Sequence, residues 1–160
     1  MVFIFSITIG TEILIEFDGV SLIVCLTYLI LKTTGSGFEH FLRDKFTTLS
    51  ETDDRMFCTK LRATWTYRRS PKRYSATNER ILAAMLARFV KDYSPSVQAT
   101  LFKMGEAALK AVPEISKVHL LMPNKHCLLV NLAPFGLENR NDLFVPTDEP
   151  HGVIEGTVAR

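Results

Sequence analysis

Two periods alternate along this chain. Lys60-Leu61-Arg62-Ala63-Thr64-Trp65-Thr66-Tyr67 repeats every second residue, with Leu61, Ala63, Trp65 and Tyr67 on one face and Arg62, Thr64 and Thr66 on the other. That is the mark of a half-buried strand. Leu26 to Thr34 predicts an earlier, more fully buried strand that turns polar at Lys32, and Gly35-Ser36-Gly37 ends it before a short helical stretch around Phe38 to Phe46. Further on, Ile81, Leu82, Met85, Leu86, Phe89 and Val90 fall along one stripe of an amphipathic helix, capped by Ser75 or Thr77. Tyr93-Ser94-Pro95 interrupts it. Ser94 as N-cap and Pro95 as first helical residue predict a second helix with Val97, Leu101, Met104 and Ala108 inward and Pro113 just past its end.

Period two then returns. Val118, Leu120 and Met122 face one way, Pro123-Asn124-Lys125 forms a turn, and Cys127 to Leu132 runs on as an apolar strand, predicting a hairpin. Shorter strands are expected at Asp142 to Val145 and Val153 to Val158. The order strand, strand, helix, helix, strand, strand implies an α+β fold, an antiparallel sheet with both helices on one face. Neither an internal repeat nor a low-complexity tract is visible.

Composition narrows the function class. At 160 residues and 18.1 kDa, one domain with a real core is the default. A formal charge of +2 gives no reason to expect a nucleic-acid partner or an anionic membrane surface. The basic run Tyr67-Arg68-Arg69-Ser70-Pro71-Lys72-Arg73 reads first as a solvated connection and second as an anion contact. Cys25, Cys58 and Cys127 have no C-x-x-C spacing, and His40, His119, His126 and His151 are scattered, so no metal site is expected and a reduced compartment suits the thiols. Residues 1–25 form an apolar segment. The charge-free run from Gly19 to Leu31 is shorter than the ~20 residues a spanning helix needs, and no Lys or Arg precedes Lys32 to make a signal-peptide n-region.

Three stretches carry candidate chemistry. The Ser94-Pro95-Ser96-Val97-Gln98 corner offers first-turn amides without intrahelical partners, at the positive end of a helix dipole. There the Val97 N–H suits a planar acidic ligand and the Gln98 amide suits its edge; the plain alternative is a capped surface helix. Pro123-Asn124-Lys125-His126 is either an ordinary turn or a place where Asn124 and His126 point into a site, the one holding a small polar molecule and the other relaying protons. In Lys32 to Arg55, Arg55 presents a rigid fork of donors for a planar anion and Phe38 a face for a flat heterocycle. The plain readings are a core phenylalanine and a surface ion pair with Asp53 or Asp54.

Taken together these blocks resemble urate oxidase (uricase), and specifically its C-terminal half. The residues that carry the resemblance are Lys32-Thr33-Thr34-x-Ser36-x-Phe38-x-x-Phe41, Phe46, Leu49 and Arg55, then Ser96-Val97-Gln98-Ala99-Thr100, Pro123-Asn124-Lys125-His126 and Asp148-Glu149-Pro150-x-Gly152. It covers residues 26–160, and residues 1–25 match no part of the family. The resemblance implies a tunnelling fold (T-fold), a four-stranded antiparallel sheet with two helices, assembling into homotetramers. It implies urate and O2 as reactants, 5-hydroxyisourate and hydrogen peroxide as products, and no cofactor. By position, Phe38 would stack on the purine, Arg55 would pair with one edge, and Val97 N–H with Gln98 would grip the other. Asn124 would lie at the O2 position and His126 on the proton-relay side. The family's N-terminal domain, with its Lys and Thr general-base pair, has no counterpart in this sequence. A peroxisomal location follows from the resemblance, although the chain closes on Val158-Ala159-Arg160 rather than the usual tripeptide; the cytoplasm is the alternative. Two other readings stand beside the enzyme: a non-catalytic T-fold subunit that oligomerises or binds urate, and a membrane-anchored module built on the apolar N-terminus.

Overall fold

The computed structural model describes residues 4–14, 23–140 and 142–160. Its elements in chain order are β1 (Ile4–Leu14), β2 (Ile23–Lys32), β3 (Phe57–Tyr67), α1 (Tyr74–Lys91), α2 (Val97–Ala111), β4 (Ile115–Pro123), β5 (His126–Leu129), β6 (Phe144–Thr147) and β7 (Val153–Ala159). A single 3-10 turn, Ala133–Phe135, lies between β5 and β6. One antiparallel sheet runs β1-β2-β3-β4-β7, and β5 with β6 form a separate two-stranded ribbon. The predicted α+β layer pair is present as β2-β3-β4-β7 with two helices. β1 adds a fifth strand on the outer edge of β2. Part of the charge-free run from Gly19 lies outside the described residues. Among those described, no helix is long and apolar enough to cross a membrane.

Strand alternation decides which face is buried. On β3, Phe57, Thr59, Leu61, Ala63, Trp65 and Tyr67 all face the core, and Leu26 and Ile30 of β2 and Val118, Leu120 and Met122 of β4 join them. The helices cover this face with Ile81, Met85 and Phe89 from α1 and Val97, Leu101, Met104 and Ala108 from α2. Phe57 and Phe89 meet ring to ring at 5.0 Å, which ties α1 to the centre of the sheet. Each such side chain contributes about 1.5–3 kcal/mol when fully buried, so this single layer contact is enough to fix the sheet and both helices relative to one another. The even-numbered residues of β3, among them Cys58, Lys60, Arg62 and Thr64, lie on the other face.

Four expectations need correcting. No helix forms over Phe38 to Phe46: Phe38 is instead bridged antiparallel to Thr52, its N–H donating to the Thr52 carbonyl at 2.7 Å. α1 begins at Tyr74, so Ser75 and Thr77 lie inside its first turn rather than capping it, and the Thr77 hydroxyl donates to the Arg73 carbonyl. α2 is capped by Ser96, whose Oγ accepts from Ala99 N–H at 3.1 Å, and Ser94 and Pro95 stay outside the helix. Finally, β4 does not make a hairpin with the strand after it. β4 pairs with β7, Leu120 opposite Gly156, while His126 to Leu129 pairs with Phe144 to Thr147.

Candidate functional site

The predicted site residues come from four separate elements, and backbone hydrogen bonds bring three of those elements together. After β2 the chain turns at Gly35, whose φ of +71° is a left-handed conformation suited to glycine. It then runs alongside the segment that precedes α2. Ser94 N–H donates to the Gly35 carbonyl at 3.0 Å, Gly37 N–H to the Ser94 carbonyl at 2.8 Å, and Glu39 N–H to the Pro95 carbonyl at 3.2 Å. On its other side the same loop holds the segment before β3. Arg55 N–H donates to the Ser36 carbonyl at 2.8 Å, and the Ser36 hydroxyl donates to the Arg55 carbonyl at 2.7 Å. Residues 35–39 thus clamp Arg55 on one side and the α2 N-terminus on the other.

Gly37 is the tightest point of this clamp. A Cβ there would sit 2.5 Å from the Thr52 carbonyl oxygen and 2.5 Å from Tyr93 Oη, so only glycine fits. Lys32, at the end of β2, adds a tie from behind: it is buried, and its Nζ donates to the Asp92 carbonyl at the C-terminus of α1. That contact satisfies an orphan helix carbonyl with a cation.

Arg55 is the best-defined side chain of the site. Its Nε donates to the Gly37 carbonyl at 2.8 Å and its Nη1 to Asn124 Oδ1 at 3.2 Å. Its guanidinium carbon lies 5.5 Å from the Phe57 ring centre and 6.0 Å from that of Phe38. Nη2 is buried and has no hydrogen-bond partner. A buried guanidinium nitrogen left empty is costly, on the order of 1–3 kcal/mol or more for a charged group. Burial also pushes the Arg55 pKa down from its ordinary value, with nearby Tyr93 opposing. The predicted surface ion pair with Asp53 or Asp54 does not form; Asp54 instead accepts from the Thr34 hydroxyl.

The remaining predicted residues divide. Phe38 is half-buried and stacks on Phe41 at 4.6 Å with the rings 16° apart. Asn124 reaches Arg55 because its own N–H is held by the Gly152 carbonyl at 2.8 Å, which fixes the end of β4 against the start of β7. Val97 is buried at the first position of α2, and Gln98 beside it is exposed. Their amides are first-turn donors that intrahelical bonding leaves unused. His126 is the exception. It opens β5, its carbonyl accepts from the Thr147 hydroxyl at 3.4 Å, and among the described residues its ring makes no hydrogen bond or ion pair with Arg55 or Asn124. Lys125, between them, pairs with Asp148, and that pairing holds the Asp148 carboxyl below the usual carboxylate range.

The roles of Gly37 and Thr52 in holding the site were not read from the sequence; Gly37 stood there only as part of a strand terminator, Ser36 only within the family motif, and Ser94 as a helix cap at the candidate corner. The one available signal was the Gly-Ser-Gly triplet, since glycine pairs mark places where backbones approach closely. Among the described residues, no three His, Cys, Asp or Glu side chains gather as a metal set.

The chain as a whole has relatives among known proteins. The Uricase family model matches residues 27–155. Uricase from Dictyostelium discoideum is 44% identical over 132 residues, 82% of this chain and 46% of the relative; uricase from Arthrobacter globiformis is 40% identical over 131 residues, 82% and 43%. The crystal structure of uricase from Arthrobacter globiformis superposes with a TM-score of 0.80 at 38% identity, over 86% of this chain and 49% of that one. A uricase from Bacillus fastidious shares the fold alone, with a TM-score of 0.68 at 17% identity over 98% of this chain. The chain spans a little under half the length of the curated relatives it matches. A family match over most of the sequence, a shared antiparallel sheet with two covering helices, and relatives near 40% identity lead to one conclusion: this chain belongs to the uricase family.

Proposed function

We propose that this chain is the substrate-gripping half of a urate oxidase, converting urate, O2 and water to 5-hydroxyisourate and hydrogen peroxide when the complementary half is supplied. The observation that carries this reading is the unpartnered, buried Nη2 of Arg55. Gly37 and Asn124 hold the fork by its other nitrogens, so the free donor is fixed in direction before any ligand arrives. A planar anion with an acceptor at that point gains a charge-assisted hydrogen bond at little orientational cost. Phe38, on the loop that the fork grips, supplies the stacking face, and the leading amides of α2 at Val97 and Gln98 supply donors for the opposite edge. Asn124, on the other arm of Arg55, takes the O2 position in this scheme. His126 is the proton-relay group two residues beyond it.

General-base catalysis contributes about 10²–10⁴-fold, and in this reading the base belongs to the half not present in this sequence. In this reading the chain alone binds weakly and does not turn over measurably. Urate consumption and peroxide release, followed with and without an N-terminal half from a related uricase, test this: activity is expected only in the mixture. No turnover in the mixture, together with no heat on titrating a purine analogue such as 8-azaxanthine, would overturn it. A peroxisomal setting is proposed on family grounds alone, with the cytoplasm as the alternative.

A second reading, a non-catalytic T-fold subunit that associates with copies of itself or with a full-length relative, has its own support. The β5–β6 ribbon leaves Leu128, Leu129 and Val145 roughly half exposed, and Leu137 and Leu143 beside it are similarly bare. An isolated two-stranded ribbon is marginal in water, and this one has apolar surface to give to a neighbour.

A further inference from the structure

Cys58 and Cys127 are free thiols that the site does not use, and the strand register places them together. The β3–β4 pairing sets Arg62 opposite Leu121 and Thr64 opposite His119. Continued without slippage, the same register gives the isolated antiparallel bridge of Cys58 with Lys125, where Lys125 N–H donates to the Cys58 carbonyl at 2.9 Å. Cys127 is two residues past Lys125, so by the period of two it shares a face with Lys125 and therefore with Cys58. The two thiols are diagonal neighbours on the face of β3 away from the helices, and both are partly shielded from water.

We propose that Cys58 and Cys127 are a peroxide-oxidisable pair that closes into a disulfide. The reaction needs hydrogen peroxide as oxidant. One thiolate attacks a peroxide oxygen, the O–O bond breaks, and a sulfenic acid and water result. The second thiol then displaces water from the sulfenic sulfur, so two S–H bonds are exchanged for one S–S bond and one peroxide leaves as two waters. For the natural source of peroxide the proposal rests on the urate oxidase reading; for the chemistry of the pair it does not.

Geometry supports closure with a small movement. Diagonal neighbours in a regular ladder stand about 7–8 Å apart, just beyond the roughly 7 Å between Cα atoms that a disulfide tolerates. β5, however, is committed to β6, and just before it the Cys58–Lys125 pairing with β3 is an isolated bridge rather than part of a long ladder, so this end of the ribbon can move without breaking one. A cross-link there would pin the turn that carries Asn124 to the strand that follows Arg55. The reaction is slow rather than immediate, because burial raises both thiols above their ordinary pKa and leaves little thiolate at neutral pH. At Cys58 the Cys127 thiol and Asp148 add to that effect and Lys125 opposes it.

Adding hydrogen peroxide directly to the full chain separates this proposal from the urate reading, since no turnover is involved. The expected product is a monomer lighter by two hydrogens, with a Cys58–Cys127 cross-linked peptide in its digest, and with full reversal by dithiothreitol. Cys127→Ser should abolish the mass loss while leaving the circular dichroism unchanged, and Cys25→Ser should leave the cross-link in place. Separate sulfinic acids on the two residues, or a cross-link that survives Cys127→Ser, would overturn the pairing. Failure of the chain to make peroxide from urate would touch only the source of the oxidant.

Discussion

Arg55 concentrates the site into one side chain. Two of its nitrogens are used to aim it, and the third is buried and empty. A lysine keeps the charge but has no fork, so it cannot hold Gly37 and Asn124 while donating to a third partner. Arg55→Lys should therefore weaken binding of a purine anion by about tenfold or more, the scale of one lost charge-assisted hydrogen bond. Isothermal titration with 8-azaxanthine, run on the chain with its complementary half, checks this. Phe38→Ala should show a comparable loss through stacking area, whereas two variants that bind like the parent would leave the fork without a ligand-binding role. Gly37 tests the same site through stability. The Cβ of Gly37→Ala would press on backbone at Thr52 as well as on Tyr93, and a backbone neighbour yields less easily than a side-chain end. The expected cost is about 1–3 kcal/mol, seen as a lower urea midpoint at unchanged slope.

Elements were legible in this sequence wherever one local pattern decided them. The alternation of Leu61 to Tyr67 and the stripe from Ile81 to Val90 needed no distant partner, and both stand as β3 and α1. Phe38 to Phe46 has aromatic spacing compatible with a helix, yet Thr52 and Ser94, fourteen and more residues away, claim the loop's backbone first. Likewise β4 and the strand after it look like a hairpin until Val153–Ala159 arrives to take the place beside β4. The candidate residues themselves were readable as a motif, but their convergence was not, because it is made by backbone bonds among residues 35–39, 55 and 94–95. Helix capping gives a clean test at this scale. Ser94 and Ser96 both have the right chemistry, but Ser94 has its N–H and carbonyl engaged with Gly35 and Gly37, so the helix starts at the serine whose backbone is free to turn. Ser96→Ala should cost about 1 kcal/mol, and the exposed Ser75→Ala, inside α1, under about 0.5 kcal/mol. Thermal melts of the two variants compare them directly; equal losses would mean that Ser96 is not the cap that matters.

At the scale of the whole molecule the described sheet has an outer strand at each end, β1 on one side and β7 on the other, and beside it a separate two-stranded ribbon. Outer strands invite pairing, because their backbone donors and acceptors are unused on one side. The ribbon adds a different kind of adhesion: Leu128 and Val145 are register partners on β5 and β6, each about half exposed, so they form one apolar knob rather than scattered contacts. If association runs through that knob, placing a charge on it should separate the copies without loosening the core, because neither residue belongs to the buried cluster beneath the helices. Leu128→Lys combined with Val145→Thr is therefore expected to shift the chain toward monomer in sedimentation velocity at micromolar concentration, with an unchanged melting profile once monomeric. Persistence of the same assembly in the double variant would place the contact on the sheet edges instead, and shielding of β1 amides in hydrogen exchange on assembly would then be the corresponding signature.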